Sequence, residues 1–280
     1  MACRIICIKV FSNEEDHHNG EVKENTKRYE FLALNCQALN QDKADIISAE
    51  YLQSLNTKIV RLCETWCLLD NVTAVYFENF INVANYCRSQ YKGGGVGIWC
   101  RKDLKPTPIN WPVECVEKDF EICGILVKFN NDSKETIILT CYRTPGSNFT
   151  IFCIKIIQVL EYVYKPTRDI IMNGDFNLDV NRDSRDYAIL CDMLGSFNMF
   201  NYISTPKRGN RILDHVFSNV GVACKVEQNY ISDHKTIKIY PYDLYLKNKY
   251  ANFRLARSFT ENNIKAFYED LEREDFICPI

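Results

Sequence analysis

Short apolar runs that end in a polar residue recur along the chain, and such runs predict buried β-strands. A turn signal, or a residue able to take part in chemistry, follows each run. The predicted strands are Phe31–Asn35, Lys58–Glu64, the last part of Gly93–Cys100, Glu121–Phe129, Thr136–Tyr142, Ile170–Met172, Ile212–Phe217 and Thr236–Tyr240. We expect Glu121–Phe129 and Thr136–Tyr142 to pair across a polar turn at residues 130–133.

Apolar residues at helical spacing alternate with these strands and predict three helices in the main domain. The second covers Phe149–Tyr164, with Pro166 just beyond its end. The first carries Ile46, Ile47, Tyr51, Leu52 and Leu55, and the third spans Asp183–Phe197 with Ala188, Ile189, Met193 and Leu194 on its inner side and Gly195 near its end. Strands alternating with helices indicate the α/β class.

Polar composition and proline mark the domain boundaries. Residues 1–28 are charged and polar, which predicts a flexible N-terminal segment, and the main domain is predicted at residues 29–240. Pro241 opens a C-terminal connector, residues 241–280, in which Ser258-x-x-Glu261 resembles a capping box. That box precedes an amphipathic helix with Ile264, Phe267, Tyr268 and Leu271 on one face.

Length, charge and cysteine content limit the classes of protein to which this chain can belong. The chain has 280 residues, 46% of them hydrophobic, which is enough for one large domain with a full core. The formal net charge of -2 argues against broad electrostatic adhesion to nucleic acid, so phosphate recognition must rest on local patches or a metal. The 14 cysteines include no Cys-x-x-Cys pair and fit a reducing intracellular compartment, and no apolar run is long enough to span a membrane.

The stretch Gly174-Asp175-Phe176-Asn177 follows the most apolar strand and is the strongest candidate site. Ligands bind at the carboxyl ends of strands in open α/β sheets, and Asp175 and Asn177 are spaced to face one cleft there. Gly174 would let the backbone turn sharply or approach a ligand closely. A plain strand-to-loop turn, in which Asp and Asn are common, is the alternative.

Other predicted strands also end at polar residues, and together they supply the parts for hydrolysis of a phosphate ester. Each also has a structural explanation, such as a turn cap, an exposed strand end or a satisfied buried histidine. Glu64 with Asp233 or Asn35 offers the hard oxygen ligands that Mg²⁺ prefers. Asp175 could take a proton from water, and Asp214 could pair with His234 to favour its cationic form. Tyr142 and Asn177 could contact phosphate or the attacking water, and Arg143, Lys207, Arg208 and Arg211 are local cations for phosphate binding.

The glycine cluster Gly93-Gly94-Gly95 could in principle cradle phosphate. No Lys-Ser/Thr pair follows it, as a P-loop requires. We therefore expect a tight turn that enters a buried strand.

These residues, in this order, resemble the endonuclease/exonuclease/phosphatase superfamily over about residues 29–240. The Glu64-Thr65-Trp66 tripeptide, the glycine triplet and the Tyr142-Arg143-x-Pro145 turn look most like the endonuclease domain of LINE-type (non-LTR) retrotransposons. The other matching motifs are Asn35-x-Gln37, Gly174-Asp175-Phe176-Asn177, Leu213-Asp214-His215 and Ser232-Asp233-His234.

The resemblance implies a DNase I-like fold, a four-layer α/β sandwich in which two β-sheets pack face to face between helices. It implies Mg²⁺, with Mn²⁺ as a substitute, near Glu64 and Asn35, with Asp233 near the metal or water. Asp175 would be the general base, Asn177 would position the nucleophile, Asp214 would pair with His234, and Tyr142 would contact phosphate. The implied activity is nicking of DNA in the nucleus, where the new 3′ end primes a reverse transcriptase. No such polymerase domain lies within this chain, so we expect it as a partner.

Two positions depart from the pattern. Relatives that cut at abasic sites carry Asp where this chain has Gln37, which removes one metal ligand and favours the retroelement branch. Pro206-Lys207-Arg208 replaces the usual Pro-Thr-Arg, so a cation stands where a hydroxyl could touch the DNA backbone. Two alternatives to the endonuclease stay open: a phosphatase of the same superfamily, and a folded retroelement remnant without turnover.

Overall fold

The structure, a computed structural model, describes residues 29–68, 74–129, 134–179, 185–203 and 211–241. The described strands are β1 Glu30–Asn35, β2 Thr57–Cys63, β3 Phe80–Tyr86, β4 Val96–Arg101, β5 Thr107–Pro108, β6 Glu121–Val127, β7 Thr136–Tyr142, β8 Asp169–Asp175, β9 Phe200–Asn201, β10 Asp214–Ser218, β11 Val222–Glu227 and β12 Thr236–Pro241. The described helices are α1 Gln41–Tyr51, α2 Phe149–Val163 and α3 Arg185–Gly195. The predicted N-terminal segment, connector helix and basic residues Lys207 and Arg208 lie outside these ranges.

The strands form two six-stranded sheets. The first has the order β11-β12-β1-β2-β4-β3 and the second β5-β6-β7-β8-β10-β9. In the first sheet β1 and β2 are parallel while β12 is antiparallel to β1. In the second, β7 and β8 are parallel while β10 is antiparallel to β8. Each sheet therefore has one central parallel pair with an antiparallel neighbour.

Side chains alternate across each strand, and this alternation builds four layers. Phe31, Ile59, Ile138 and Ile171 belong to a core between the two sheets. A second core lies under α2 and α3 on the outer face of the second sheet, and a third lies under α1 on the outer face of the first. The chain thus folds as the four-layer DNase I-like α/β sandwich that the resemblance implied.

Helices α1 and α2 begin where the sequence supplies a cap, but the predicted inner face of α3 is partly wrong. Asn40 and Asn148 each accept a backbone N–H in the first turn of α1 and α2. In the first predicted helix, Ile46 and Leu55 are exposed while Ile47, Tyr51 and Leu52 are buried. In α3, Leu190 and Leu194 face the core, whereas Ala188 and Ile189 are exposed. Fewer of the apolar residues in these helices are buried than their spacing suggested.

Gly174 lies inside β8 and does not form the predicted turn. It pairs with His215 and Cys141 of the neighbouring strands. A Cβ atom at Gly174 would lie 1.8 Å from the backbone oxygen of Cys141. Glycine is required here because the two strands approach closely, which corrects the prediction of a sharp turn.

The glycine triplet does form the predicted tight turn into a buried strand. Gly93, Gly94 and Gly95 all adopt positive φ angles, between 65° and 85°, which favour glycine. Strand β4 begins directly after them at Val96.

The described cysteines are free thiols, and most of those in strands are buried. Within the described ranges, no helix is both long enough and apolar enough to cross a membrane.

Candidate active site

The ends of five strands bring the predicted site residues to one edge of the sandwich. Asn35 is the last residue of β1, and Glu64 directly follows β2, which runs parallel to it. His234 precedes β12, whose antiparallel pairing returns it to the end of β1. In the second sheet, Asp175 ends β8 and faces Asp214 at the start of antiparallel β10. Residues from both sheets therefore line a common cleft.

Asn35 joins the two sheets through its side-chain amide. Its Nδ2 donates to Glu64 Oε1 at 2.8 Å and to Asp175 Oδ2 at 3.0 Å, and it lies 3.5 Å from His234 Nε2. Its Oδ1 accepts the Gln37 backbone N–H at 3.3 Å. Asn35 would offer its oxygen to a cation, as the sequence predicts, only after the amide turns over.

Asp214 holds the imidazole of His234 in a fixed orientation. His234 Nδ1 lies 2.8 Å from Asp214 Oδ2, so Nε2 faces the cleft, 3.8 Å from Asp175 Oδ2. Both side chains are almost fully buried. This is the pairing that the resemblance implied, and it fixes which ring nitrogen faces a substrate.

Burial and neighbouring charges raise the pKa values of both Asp175 and His234. The shift favours the neutral form of Asp175 but the charged form of His234. Burial, with the charge of Asp214, raises the pKa of Asp175 to about 7 although His234 opposes the shift. Burial works against the charged form of His234, but the hydrogen bond and charge of Asp214, with the charge of Asp175, raise its pKa to about 9. Asp175 is thereby suited to accept a proton near neutrality, and His234 to remain cationic.

The donor set fits a divalent cation. Ligand atoms of Glu64, Asp175 and His234 all lie within 4.8 Å of one another. Two carboxylates this close, joined only by an amide N–H₂ group, leave an excess of negative charge that a hard cation would neutralise. His234 is turned to Asp214 and favours its protonated form, so the carboxylates are the better ligands.

Glu64 is presented by an unusual backbone. Glu64 and Trp66 both have positive φ angles, 51° and 54°. Trp66 Nε1 donates to Glu64 Oε2 at 3.2 Å, so Glu64 is held from Asn35 on one side and Trp66 on the other. Left-handed backbone in non-glycine residues costs energy and concentrates at functional sites.

Asn177 and Tyr142 flank Asp175. Asn177 has φ 50°, donates its backbone N–H to Asp175 Oδ1 at 3.0 Å, and donates Nδ2 to Arg143 O at 2.6 Å. Tyr142 pairs with Asp175 across β7 and β8 and is buried. Burial and the charges of Glu64 and Asp175 raise the pKa of Tyr142, which keeps its hydroxyl protonated as a donor.

Asp233 lies at the exposed rim of the cleft rather than among the clustered ligand atoms. Its Oδ1 accepts Gln37 Nε2 at 2.7 Å and lies 3.8 Å from His234 Nε2. The glutamine that replaces the aspartate of abasic-site relatives thus holds Asp233 in place.

Arg143 does not stand ready for phosphate, contrary to the prediction. Its side chain is buried, and it donates to the backbone oxygens of Phe176 and Ser147 at 3.2 and 2.9 Å. Its guanidinium joins the loop after β7 to the backbone directly after Asp175. Arg211 is exposed and stays available for a phosphate contact.

Sequence reasoning missed the buried ion pair that supports these loops. Arg88 Nε donates to Glu121 Oε1 at 2.6 Å, and Arg88 Nη2 donates to Thr144 Oγ1 at 2.8 Å. Glu121 Oε2 accepts the Gly95 N–H at 2.6 Å, and Arg88 lies over the Tyr142 ring at 5.8 Å. The pair was hidden because Arg88 and Glu121 lie 33 positions apart with no motif around either.

The contact made by Asn229 was also missed, and Ser232, which the sequence analysis placed in a motif, has a hydrogen bond that the motif did not predict. Asn229 donates Nδ2 to His234 O at 2.5 Å and accepts the backbone N–H groups of Ile231 and Ser232. Ser232 Oγ donates to Asn35 O at 2.6 Å. For Asn229 the sequence signal was only the polar character of the loop before His234.

Comparisons with known proteins agree with this arrangement. A family model described as the Endonuclease/Exonuclease/phosphatase family matches residues 32–234. No curated protein matches the chain.

Solved structures share the fold at low sequence identity. The endonuclease domain of TRAS1, a telomere-specific non-LTR retrotransposon, has a TM-score of 0.59 and 15% identity over 76% of this chain and 98% of that domain. A mutant beta toxin from Staphylococcus aureus with bound magnesium ions has a TM-score of 0.53 and 16% identity over 76% and 99%. The mannosyl-6-phosphatase of Bacteroides thetaiotaomicron has a TM-score of 0.52 and 12% identity over 76% and 99%.

Proposed function

Because the chain belongs to the endonuclease/exonuclease/phosphatase family, we propose that it is a metal-dependent endonuclease that nicks DNA. The observation that carries the proposal is the convergence of Glu64, Asp175 and the Asp214–His234 pair at one cleft. A base, a cation and a metal-binding carboxylate are the groups that hydrolysis of a phosphodiester needs.

The side chains divide the reaction between them. Asp175 accepts a proton from water as the water oxygen bonds to phosphorus. Asn177 fixes Asp175 through its backbone N–H and keeps the attacking water aligned. The bond from phosphorus to the 3′ oxygen then breaks, and that oxygen takes up a proton to leave a 3′ hydroxyl.

Charge on the phosphate oxygens is stabilised by fixed donors. His234 faces the cleft as a cation through Nε2, and Tyr142 donates its protonated hydroxyl. Glu64, with Asn35 beside it, would hold a Mg²⁺ ion, which would supply polarisation of the phosphate and neutralisation of developing charge, and Mn²⁺ is expected to substitute.

A supercoiled plasmid assay tests this proposal. Pure folded protein should nick the plasmid with Mg²⁺ and stop with EDTA. Asp175→Asn should lower the rate by about 10³-fold, within the range for loss of a general base. The matched control Asp192→Asn removes an exposed carboxylate on α3 and should leave the rate unchanged.

Three results would contradict the proposal or its assignments. An intact plasmid after incubation with folded protein and Mg²⁺ would remove the endonuclease function. Equal nicking by Asp175→Asn would show a contaminant or a wrong base. Nicks that a DNA polymerase cannot extend would lack the 3′ hydroxyl needed to prime a partner reverse transcriptase.

The second candidate is a phosphatase of the same family. The similarity to a mannosyl-6-phosphatase and the formal net charge of -2 favour it over a nuclease that binds duplex broadly. Release of phosphate from small phosphomonoesters, with plasmid left intact, would support this candidate instead.

A further inference from the structure

Trp66 stands half exposed beside the candidate metal-binding carboxylate. Its exposed fraction is 49%, although Glu64, two positions earlier, is hydrogen-bonded into the cleft. A single exposed aromatic is common on protein surfaces and needs no explanation by itself. The backbone and hydrogen bonds of this tryptophan set it apart.

One hydrogen bond fixes the indole, and a second fixes the backbone that carries it. The indole N–H donates to Glu64 Oε2 at 3.2 Å, and the backbone N–H donates to Gly94 O at 2.9 Å. The indole lies beside Gly93, where an added Cβ atom would be in ordinary van der Waals contact, 3.5 Å from the indole nitrogen. With φ 54°, Trp66 keeps a backbone conformation that costs energy and still buries only half of its side chain.

A rigid, exposed aromatic is suited to stacking because it loses little conformational freedom on binding. The loop that contains Gly93 and Gly94 carries another exposed ring, that of Tyr91. Lys118 Nζ lies 3.4 Å from the centre of this ring. Aromatic rings beside a cation are the elements by which proteins bind single nucleic acid strands. A small phosphomonoester would leave Trp66 unused.

We propose that Trp66 stacks on a nucleobase next to the scissile phosphate, so that the substrate is a polynucleotide with an unstacked base at that position. The inference rests on the proposed endonuclease function. The inference adds the substrate class, and it adds Trp66 as the residue that selects this substrate. The indole bond to Glu64 couples the base to the cleft, because the ring that holds the base also holds the carboxylate.

An abasic scan measured by binding tests the proposal without turnover. Fluorescent single-stranded oligonucleotides, each lacking one base, are titrated with protein in Ca²⁺. For wild type, removal of one particular base should weaken binding about tenfold, in the range of one base–aromatic stack. Trp66→Leu should bind the intact oligonucleotide about tenfold more weakly and be indifferent to loss of that base.

Two further variants separate stacking from support of Glu64. Trp66→Phe keeps a ring without the N–H donor and should retain the sensitivity to the missing base. Tyr162→Leu removes a ring of similar exposure, 52%, near the far end of α2, and should bind like wild type.

The outcomes distinguish this inference from the proposed function. Trp66→Leu binding every oligonucleotide as tightly as wild type, or still sensing the same missing base, would overturn the stacking role even if the plasmid is nicked. Position-specific sensing in wild type that Trp66→Leu loses would support it even if no nicking occurs.

Discussion

Two clusters of buried charge lie near the same loops, and they differ in how their charges are balanced. In the Arg88–Glu121 pair, one guanidinium faces one carboxylate, and the carboxylate also accepts backbone N–H groups of Gly95 and Lys118. In the carboxylate cluster, Glu64, Asp175 and Asp214 face a single imidazole, that of His234.

This difference indicates that the Arg88–Glu121 pair stabilises the fold, whereas the carboxylate cluster is suited to bind a cation. A balanced, hydrogen-bonded pair is complete when the protein folds, and removal of either partner leaves an uncompensated charge. An excess of buried negative charge is unfavourable for folding and is relieved by a cation. The variants below test this contrast, beginning with the largest expected effect.

Glu121→Gln should destabilise the fold most. Arg88 would stay buried without its counter-charge, and we expect the free energy of unfolding to fall by about 3–5 kcal/mol. Urea denaturation measures it. Asp103→Asn, which breaks the more exposed pair with Lys58, should cost no more than about 1 kcal/mol. Equal losses would mean that burial of the Arg88–Glu121 pair carries no weight.

Divalent cations should stabilise the carboxylate cluster. At about 100 times its dissociation constant, Mg²⁺ bound only to the folded state adds about 2.7 kcal/mol to the free energy of unfolding. Thermal denaturation with and without Mg²⁺ measures the shift. Glu64→Gln should lose most of the shift, whereas Asp192→Asn should keep it. A full shift in Glu64→Gln would place the cation elsewhere.

Gly94→Ala should displace Arg88 and so disturb the Arg88–Glu121 pair. The new methyl group would lie 2.2 Å from Arg88 Nε, at a residue with φ 65°. We expect a loss of about 2 kcal/mol, at the upper end of the cost of a left-handed alanine. Gly146→Ala isolates that backbone cost, since φ is 72° there and no atom lies within 4 Å of the added Cβ. We expect about 1 kcal/mol for it, and identical losses in urea would exclude a steric effect on Arg88.

Asp175→Asn should behave oppositely to Glu121→Gln. It removes one of the mutually repelling carboxylates, so in EDTA we expect the free energy of unfolding to rise by about 0.5–2 kcal/mol, although nicking in Mg²⁺ falls. The same urea titration measures it. A loss as large as that of Glu121→Gln would show that the two clusters do not differ in balance.

Much of the fold could be predicted from alternation and strand ends. Short apolar runs such as Ile170–Met172 predicted strands correctly because central strands are buried on both faces. Strand β3 was missed because asparagines at 82 and 85 break its apolar pattern at an edge, and β5 and β9 are only two residues long. The inner face of α3 was wrong because Ile189 is apolar yet exposed.

The site was predictable where a residue ends a strand, since parallel neighbours bring their ends together. Arg143 shows the limit of this reasoning, because a basic residue beside the cleft can turn inward to backbone carbonyls. The roles of Gln37 and Arg88 depend on partners 196 and 33 positions away, which no local pattern identifies.

The meeting of Asn35 and His234 has a consequence for the timing of activity during synthesis. The two side chains lie 199 positions apart in the chain, and β1 pairs with β12 through Phe31 and Ile239. Such non-local pairing forms late, because a long loop must close before the contacts that stabilise it exist. A nascent chain on the ribosome therefore carries no assembled cleft until β12 has emerged, and we expect a product truncated before that strand to lack the site.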